Sequence, residues 1–512
     1  MAGGAGPFLI GLDCGTQSVR ALLADATGRT VACAARPTPT IAIAPGQAEH
    51  DPEALWQAAC DALRELAAKI PPGGEVAGIA CASMGEACVL LDAEDRPLAR
   101  TITWFDRRTE PVAAAFAARV GAEVLFDRTG LPADPTVTLA KLLWHRATDP
   151  AGFARVRRVL NLADYLAFRL SGEAATDLSH ASRTQLLDIG AGEWSAAMLR
   201  EAALDRALLP PIRPSGSRIG AVRPDVLAAT GLPGRPAVGV GGHDHVCGAF
   251  AAGVVRPGTL LDSMGTAEAL FATVERPVVT RAHRHLGFWQ GALGLDRRFA
   301  YVGAGITSSG GAVEWTRRLF GGDVDRAALI AEAEALPAGS GGVVFLAHLA
   351  NATPPVVDLA ARGAFLGLTA ATSRGALFRA VLEGLAMEAR LCVDAIAALP
   401  GAGRPEAIRV IGGSTRNALL LRIKAAVFGR PLTVIDEPEA TALGAALLGG
   451  VAAGMWPDMP SALSAVDRPV HVVAPDAAWI ACYDTLFRSV YAHLYLTLAP
   501  LTHALARYDA GE

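Results

Sequence analysis

The stretch VGVGGHDHVCGAF, Val238 to Phe250, places one carboxylate, Asp244, between His243 and His245, directly after an apolar run and two glycines. A carboxylate at the end of a buried strand can ligate a metal, take a proton as general base, or satisfy the backbone of its own turn. Two other stretches could handle phosphate. LDCGTQSVRAL from Leu12 and LDSMGTAEAL from Leu261 each run a strand into an Asp, a Gly-Thr turn and a second strand, with one more residue before the turn in the second copy. Such a turn exposes backbone N–H groups and a hydroxyl, which suit phosphate oxygens. Many hairpins contain Gly-Thr, so one copy says little; two in matching contexts point to a nucleotide.

A third stretch, VIGGSTRNALLLRIKAAVFGRPLTV from Val410, ends a strand in Gly412-Gly413 and starts a helix capped by Asn417. Paired glycines let a flat base approach the backbone, and Ser414, Thr415 and Asn417 offer polar groups to ribose or phosphate. Read alone, it is sooner a capped helix with glycines for close packing. Other chemistries are excluded or weakened. No lysine follows a glycine, so there is no Walker A loop; GVGGHD fails the last position of GxGxxG; GxSxG and HExxH are absent. A zinc site could be drawn from His243, Asp244, His245, His283 and His285. Against it, neighbours on a strand point to opposite faces, and His283 and His285 read as one polar strand face.

The elements that must position these residues follow from the chain. Its 512 residues exceed one ordinary core, so two domains are expected. Hydrophobic residues at 52% and charged residues at 19% suit a soluble protein with large buried sheets, and a net charge of −4 gives no pull toward nucleic acid or anionic lipid. Eight scattered cysteines without a CxxC pair fit reduced thiols in a cytoplasmic setting. The N-terminus lacks the basic region of a signal peptide. The uncharged run Ala440 to Trp456 is short and Gly/Ala-rich, and reads as a packed helix rather than a membrane span.

Phe8–Asp13, Val19–Asp25 and Val31–Ala35 read as a meander of strands, and Asp51-Pro52-Glu53 opens a helix with apolar Leu55, Ala59, Leu63, Leu66 and Ile70. Val76–Ser83 and Val89–Asp92 read as further strands. The pattern recurs at Thr259–Met264 and Glu268–Val274, then at Val343–Leu346, Ile408–Ile411 and Leu432–Ile435 between Ala-rich helices. Two similar α/β halves with a cleft between them are expected, residues 1–253 and 254–512.

Together these segments resemble the FGGY carbohydrate kinases, members of the actin-like ATPase (ribonuclease H-like) fold. The resemblance covers nearly the whole chain: GLDCGTQSVRALLAD, DPEALWQA, ITWFDRRT, LDSMGTAEAL, RGAFLGLTAATSRGALFRAVLEGLAME, GGSTRN with FGRPL, and EATALGAALLGG. One departure is TVTLAKLLWHRA, which keeps Lys141 and Trp144 but has unusual residues at Thr136 and His145.

The resemblance implies an ATP-dependent phosphotransferase acting on a hydroxyl of a small ketose or polyol, mainly sugar-binding in its first half and ATP-binding in its second, and a homodimer. It implies Asp244 as general base, and Asp13 with Asp244 around Mg²⁺, Asp13 through water. It assigns Gly15, Thr16, Gln17, Arg20, Gly265, Thr266, Gly310, Gly412, Gly413 and Asn417 to the nucleotide. It assigns Met84, Glu86, Trp104, Asp106, His243 and His245 to the sugar. The Gly-His-Asp arrangement looks more like the deoxyketohexose kinases than the glycerol kinases; tetrulose, pentulose and polyol substrates stay open. The rival on the same fold is a nucleotide-dependent regulator without turnover.

Overall fold

A computed structural model of the chain describes residues 6–295, 298–322, 324–467 and 469–510. Two large sheets form its frame. The first has six strands in the order Arg218–Ala221, Ala237–His243, Val76–Ser83, Phe8–Cys14, Ser18–Ala24, Thr30–Pro37. Its last three strands are the antiparallel meander, while Val76–Ser83 runs parallel to both Phe8–Cys14 and Ala237–His243. FLIGLDC is buried at every residue because helices cover both faces of these central parallel strands.

The second sheet has seven strands: Trp289–Ala292, Ala300–Ile306, Glu268–Val274, Thr259–Met264, Ala407–Ile411, Leu432–Ile435, Val470–Val473. It too sets an antiparallel meander beside two parallel strands and closes with an antiparallel edge. The two halves therefore share one topology.

Local chemistry starts the elements as expected at several points. Asp51 caps the helix Pro52–Ala67 by accepting from Glu53 N–H, and Leu55, Ala59, Leu63 and Leu66 are its buried face. Asn417 caps Ala418–Phe428 by accepting from Leu420 N–H, and Gly429 ends that helix in the left-handed region.

Helix Ala440–Ala452 explains its own composition. It lies against Phe8–Cys14, Val76–Ser83 and the helix Asp244–Ala252 with almost no space for side chains. A Cβ on Gly11 would come within 1.8 Å of Ala442 O, one on Gly78 within 2.0 Å of Gly449 O, and one on Gly444 within 1.9 Å of Cys247 O. Among the described residues no helix is long and apolar enough to cross a membrane. Gly444→Ala is expected to force this helix off the sheet and lower stability by about 1–3 kcal/mol. Thermal unfolding checks it; an unchanged melting temperature would mean the contact relaxes freely.

Three expectations differ. Val89–Asp92 is realised as Cys88–Leu91, paired with Arg158–Asn161 in a separate ribbon. Val343–Leu346 is realised as Val344–Leu346, in a ribbon with Ala364–Leu366. His283 and His285 sit on a helix, Arg281–Leu286, not a strand, because Thr280 caps it and Gly287 (φ 73°) ends it.

Candidate active site

The three adjacent parallel strands of the first sheet end at Cys14, Ser83 and His243. The chain leaving each one carries, in turn, the first Gly-Thr turn, the Met84–Glu86 loop and Asp244. Loops at the carboxyl ends of parallel strands are where α/β sheets gather their ligands. A cavity of about 520 Å³ opens there. Thr16, Met84, Glu86, Trp104, His243, Asp244 and His245 line it, as do Asp134, Arg183, Phe288 and Trp289. Trp104 donates Nε1–H to Thr16 Oγ1 at 2.8 Å, tying the cavity wall to the first Gly-Thr turn.

The strand carrying Asp244 stops one residue before it. His243 is the last strand residue, and Asp244 begins the helix Asp244–Ala252. The strand-face objection to convergence therefore fails for this pair: His243 Nε2 lies 3.2 Å from Asp244 Oδ1, which also accepts from His245 N–H at 2.6 Å. Burial holds the His243 imidazole well below its usual pKa, with His245, His180 and Arg183 adding to the effect. Gly85 makes room for the imidazole, since a Cβ there would meet the ring at 2.9 Å.

Glu86 is anchored from three directions. It has φ 59°, a left-handed conformation that a non-glycine residue holds only when its surroundings impose it. The Lys141 ammonium, itself buried, donates to Glu86 O at 2.8 Å. Arg183 Nε donates to Glu86 Oε1 at 2.5 Å.

Asp13, at the end of its strand, is buried, and its Oδ1 has no hydrogen-bond partner. Burial, and next the charge of Asp244, push its pKa up from 3.8 to about 8. An unpaired buried carboxyl beside a second carboxylate has the donor chemistry that suits a divalent cation.

A second cavity, of about 630 Å³, belongs to the other half. Gly265, Thr266, Gly310, Gly413, Ser414, Arg416 and Asn417 line it, with apolar Val313, Ile330 and Leu420. Its loops are stitched together by backbone bonds, Gly310 N–H to Gly265 O at 3.2 Å and Gly311 N–H to Thr266 O at 2.9 Å. Two glycines here demand bare backbone: a Cβ on Gly310 would lie 2.5 Å from Gly265 O, and one on Gly412 (φ 103°) 2.5 Å from Met264 O. Beneath this floor the buried Lys424 pairs with Asp262 at 2.5 Å and Glu268 at 2.6 Å, and Glu268 accepts from Ser309 Oγ at 2.8 Å, just ahead of the helix Gly310–Leu319.

Four expected residues stand elsewhere. Asp106 is a correction: it is fully buried, with its carboxylate filled by Arg108 and by Ala48 N–H at 2.8 Å, so it does not face the first cavity. Arg20 pairs with Glu439 at 3.2 Å. Gln17 is exposed and lines neither cavity. Gly412 packs under the second Gly-Thr turn rather than facing the cavity. Gly15 shapes its own turn, donating N–H to Ser18 O at 3.1 Å and accepting from Thr38 Oγ1 at 2.7 Å.

The histidine-based metal reading fails on geometry. His283 is buried with Nδ1 against Val278 O, between Phe126 and Phe288. Among the described residues no three His, Cys, Asp or Glu side chains converge.

Arg183, Asp134, Phe288 and Trp289 escaped the sequence reading. Arg183 stands alone in HASRTQ with no pattern to mark it. Phe288 and Trp289 come from the far half, whose edge strand Trp289–Ala292 reaches across: Gln290 Nε2 donates to Gly130 O at 2.9 Å, and Arg284 pairs with Glu123 at 2.8 Å.

The N-terminal domain profile of the FGGY family of carbohydrate kinases matches residues 8–251, and the family's C-terminal domain profile matches residues 260–453. A glycerol kinase of Gloeobacter violaceus is 34% identical over 475 residues, 91% of this chain and 92% of that protein. Among solved structures, a xylulose kinase of Rhodospirillum rubrum superposes with a TM-score of 0.86 at 30% identity, covering 97% of this chain and all of the other. A gluconate kinase of Lactobacillus acidophilus gives 0.87 at 25% identity, covering 96% and 98%.

Proposed function

The chain belongs to the FGGY family of carbohydrate kinases, and from that premise we propose that it transfers the γ-phosphoryl group of ATP to a hydroxyl of a small ketose or polyol, with Asp244 as general base. One observation carries the proposal. Asp244 lines a cavity with both polar and aromatic walls, its Oδ1 accepting from the His245 N–H at 2.6 Å and lying 3.2 Å from His243 Nε2.

An alcohol is a poor nucleophile. A fixed carboxylate within hydrogen-bond reach takes its proton as the new phosphorus–oxygen bond forms. Glu86 accepts from substrate hydroxyls, Trp104 and Trp289 cover the carbon chain, and the Gly265-Thr266 turn with Gly310 binds phosphate oxygens through backbone N–H groups. The apolar Val313, Ile330 and Leu420 suit the base, with Asn417 nearby for ribose.

The buried, unpartnered Asp13 Oδ1 fits a divalent cation, and Asp13 with Asp244 would hold Mg²⁺. When bound, Mg²⁺ offsets the negative charge of the β- and γ-phosphates.

A coupled ADP-release assay with Mg-ATP against ketoses, polyols and aldoses tests the proposal. Sugar-dependent release is expected for at least one neutral compound. ATP binding with no sugar-dependent release from a broad panel would favour a regulator instead. Glu86→Ala is expected to raise KM for the sugar at least tenfold and leave KM for ATP within about twofold, since a buried charge-assisted hydrogen bond is worth about 1.5–3 kcal/mol. An unchanged sugar KM would take Glu86 out of the pocket.

A further inference from the structure

The charges facing the sugar cavity restrict what can enter it. Three carboxylates line it, Glu86, Asp134 and Asp244, against one guanidinium among the described lining residues, Arg183. The Arg183 guanidinium is already engaged: Nε donates to Glu86 Oε1 at 2.5 Å, and Nη2 pairs with the same oxygen. The next cation, Lys141, does not line the cavity; its ammonium is buried and bonded to Glu86 O at 2.8 Å. The cavity stays net negative even with a proton on His245. ATP brings more negative charge to the cleft than one divalent cation removes.

One donor remains. Arg183 Nη1 is buried and has no hydrogen-bond partner, while its side chain is 13% exposed. The guanidinium belongs to a side chain that lines the cavity, so a substrate oxygen can approach its exposed part. The acceptor must be an uncharged oxygen. A carboxylate would have to compete with Glu86 for the same guanidinium while standing among the other carboxylates.

Resting on the kinase reading above, we infer that Arg183 is the specificity-determining residue of this site: its guanidinium donates to a substrate hydroxyl and, being paired with Glu86, selects uncharged polyhydroxylated chains and excludes sugar acids. The Glu86–Arg183 pair suits a hydroxyl or a vicinal diol, because each hydroxyl can donate to the carboxylate and accept from the guanidinium. The same pair leaves a substrate carboxylate without a free cation. The distinction matters within this fold, since one close structural neighbour is a gluconate kinase.

The test compares kcat/KM of the full chain for D-xylulose, D-ribulose, xylitol and glycerol with that for D-xylonate and D-gluconate. At least one neutral compound is expected to exceed both acids by 100-fold or more. Arg183→Met is expected to raise KM for that compound at least 30-fold with KM for ATP unchanged. Glu86→Gln frees the guanidinium and is expected to narrow the neutral-to-acid ratio at least tenfold.

Comparable turnover of an acid by the wild type would overturn the inference and leave the kinase reading standing. So would Arg183→Met with an unchanged sugar KM and melting temperature. Should Arg183→Met fail to fold, the wild-type ratio and Glu86→Gln decide between the outcomes. Absence of turnover with every compound would count against the kinase reading; calorimetric binding of the same panel then decides the inference, with tighter binding of an acid, or no binding of any neutral compound, overturning it.

Discussion

Asp244→Asn is expected to lower kcat for sugar phosphorylation by about a thousandfold or more while Mg-nucleotide affinity stays within a few fold. The change is nearly isosteric, and the amide oxygen can still accept from the His245 N–H, so the start of the helix Asp244–Ala252 keeps its geometry. What disappears is the proton acceptor. The amide NH₂ faces the substrate hydroxyl as a donor, and the alcohol must attack without losing its proton to the protein. General-base terms alone are commonly about 10²–10⁴. The cavity that gathers Gly265, Thr266, Gly310 and Gly413 contains no atom of Asp244, which is why ADP affinity should survive. ADP release measures the first quantity and calorimetry with Mg-ADP the second. A variant within tenfold of wild-type kcat would remove Asp244 from the role of base.

The second large effect has two signs. Asp13→Asn is expected to cost at least about a hundredfold in kcat and yet to stabilise the ligand-free protein. Burial, with Asp244 as the second cause, raises Asp13 from 3.8 to about 8 in the folded chain. The folded state therefore binds this proton more tightly than the unfolded state. Its contribution to stability is fully present below about pH 4 and is lost as pH rises through about 8, at roughly 1.4 kcal/mol per pH unit within that window.

Asparagine cannot ionise and escapes the loss. The gap in melting temperature between Asp13→Asn and wild type should widen from pH 5 to pH 8 without metal. Mg-nucleotide should close part of it by stabilising the wild type more than the variant. A gap independent of pH would mean that Asp13 is not the buried acid described here. A stability cost retained at a reactive site is the usual sign of a group kept for function rather than for the fold.

Several features of the site could be read in the sequence because their causes are local. A buried strand followed by Gly-Thr can be seen in any eleven-residue window, as can Asp244 after Gly241-Gly242, or an Asn cap before ALLLRIKAAVF. Hydrophobic periodicity, turn glycines and capping side chains act within one or two turns of chain. They placed both Gly-Thr turns, Glu86 and the helix after Asn417. They misled where an equally local signal had two readings. RAHRHLGFW alternates like a strand, but Thr280 and Gly287 bracket it as a helix. Asp106 looked like a free acceptor, and Arg108, two residues on, fills it.

By itself, then, the sequence determined the two α/β halves, the phosphate-type turns and the carboxylate at the strand end, since each depends on the order of residues along a short length of chain. Only the tertiary structure decided which groups meet. Arg183 finds Glu86 across 97 positions, and Lys424 finds Asp262 across 162. The edge strand of the second sheet carries Trp289 to the wall of a cavity built mostly by the first half. Ala440–Ala452 is small and uncharged because it presses against strands more than 350 residues earlier in the chain. Such contacts are set by how sheet edges and helices pack in three dimensions. No periodicity along the chain encodes the partner's position, and so Arg183 and Trp289 come into view as cavity-lining residues only once the chain is folded.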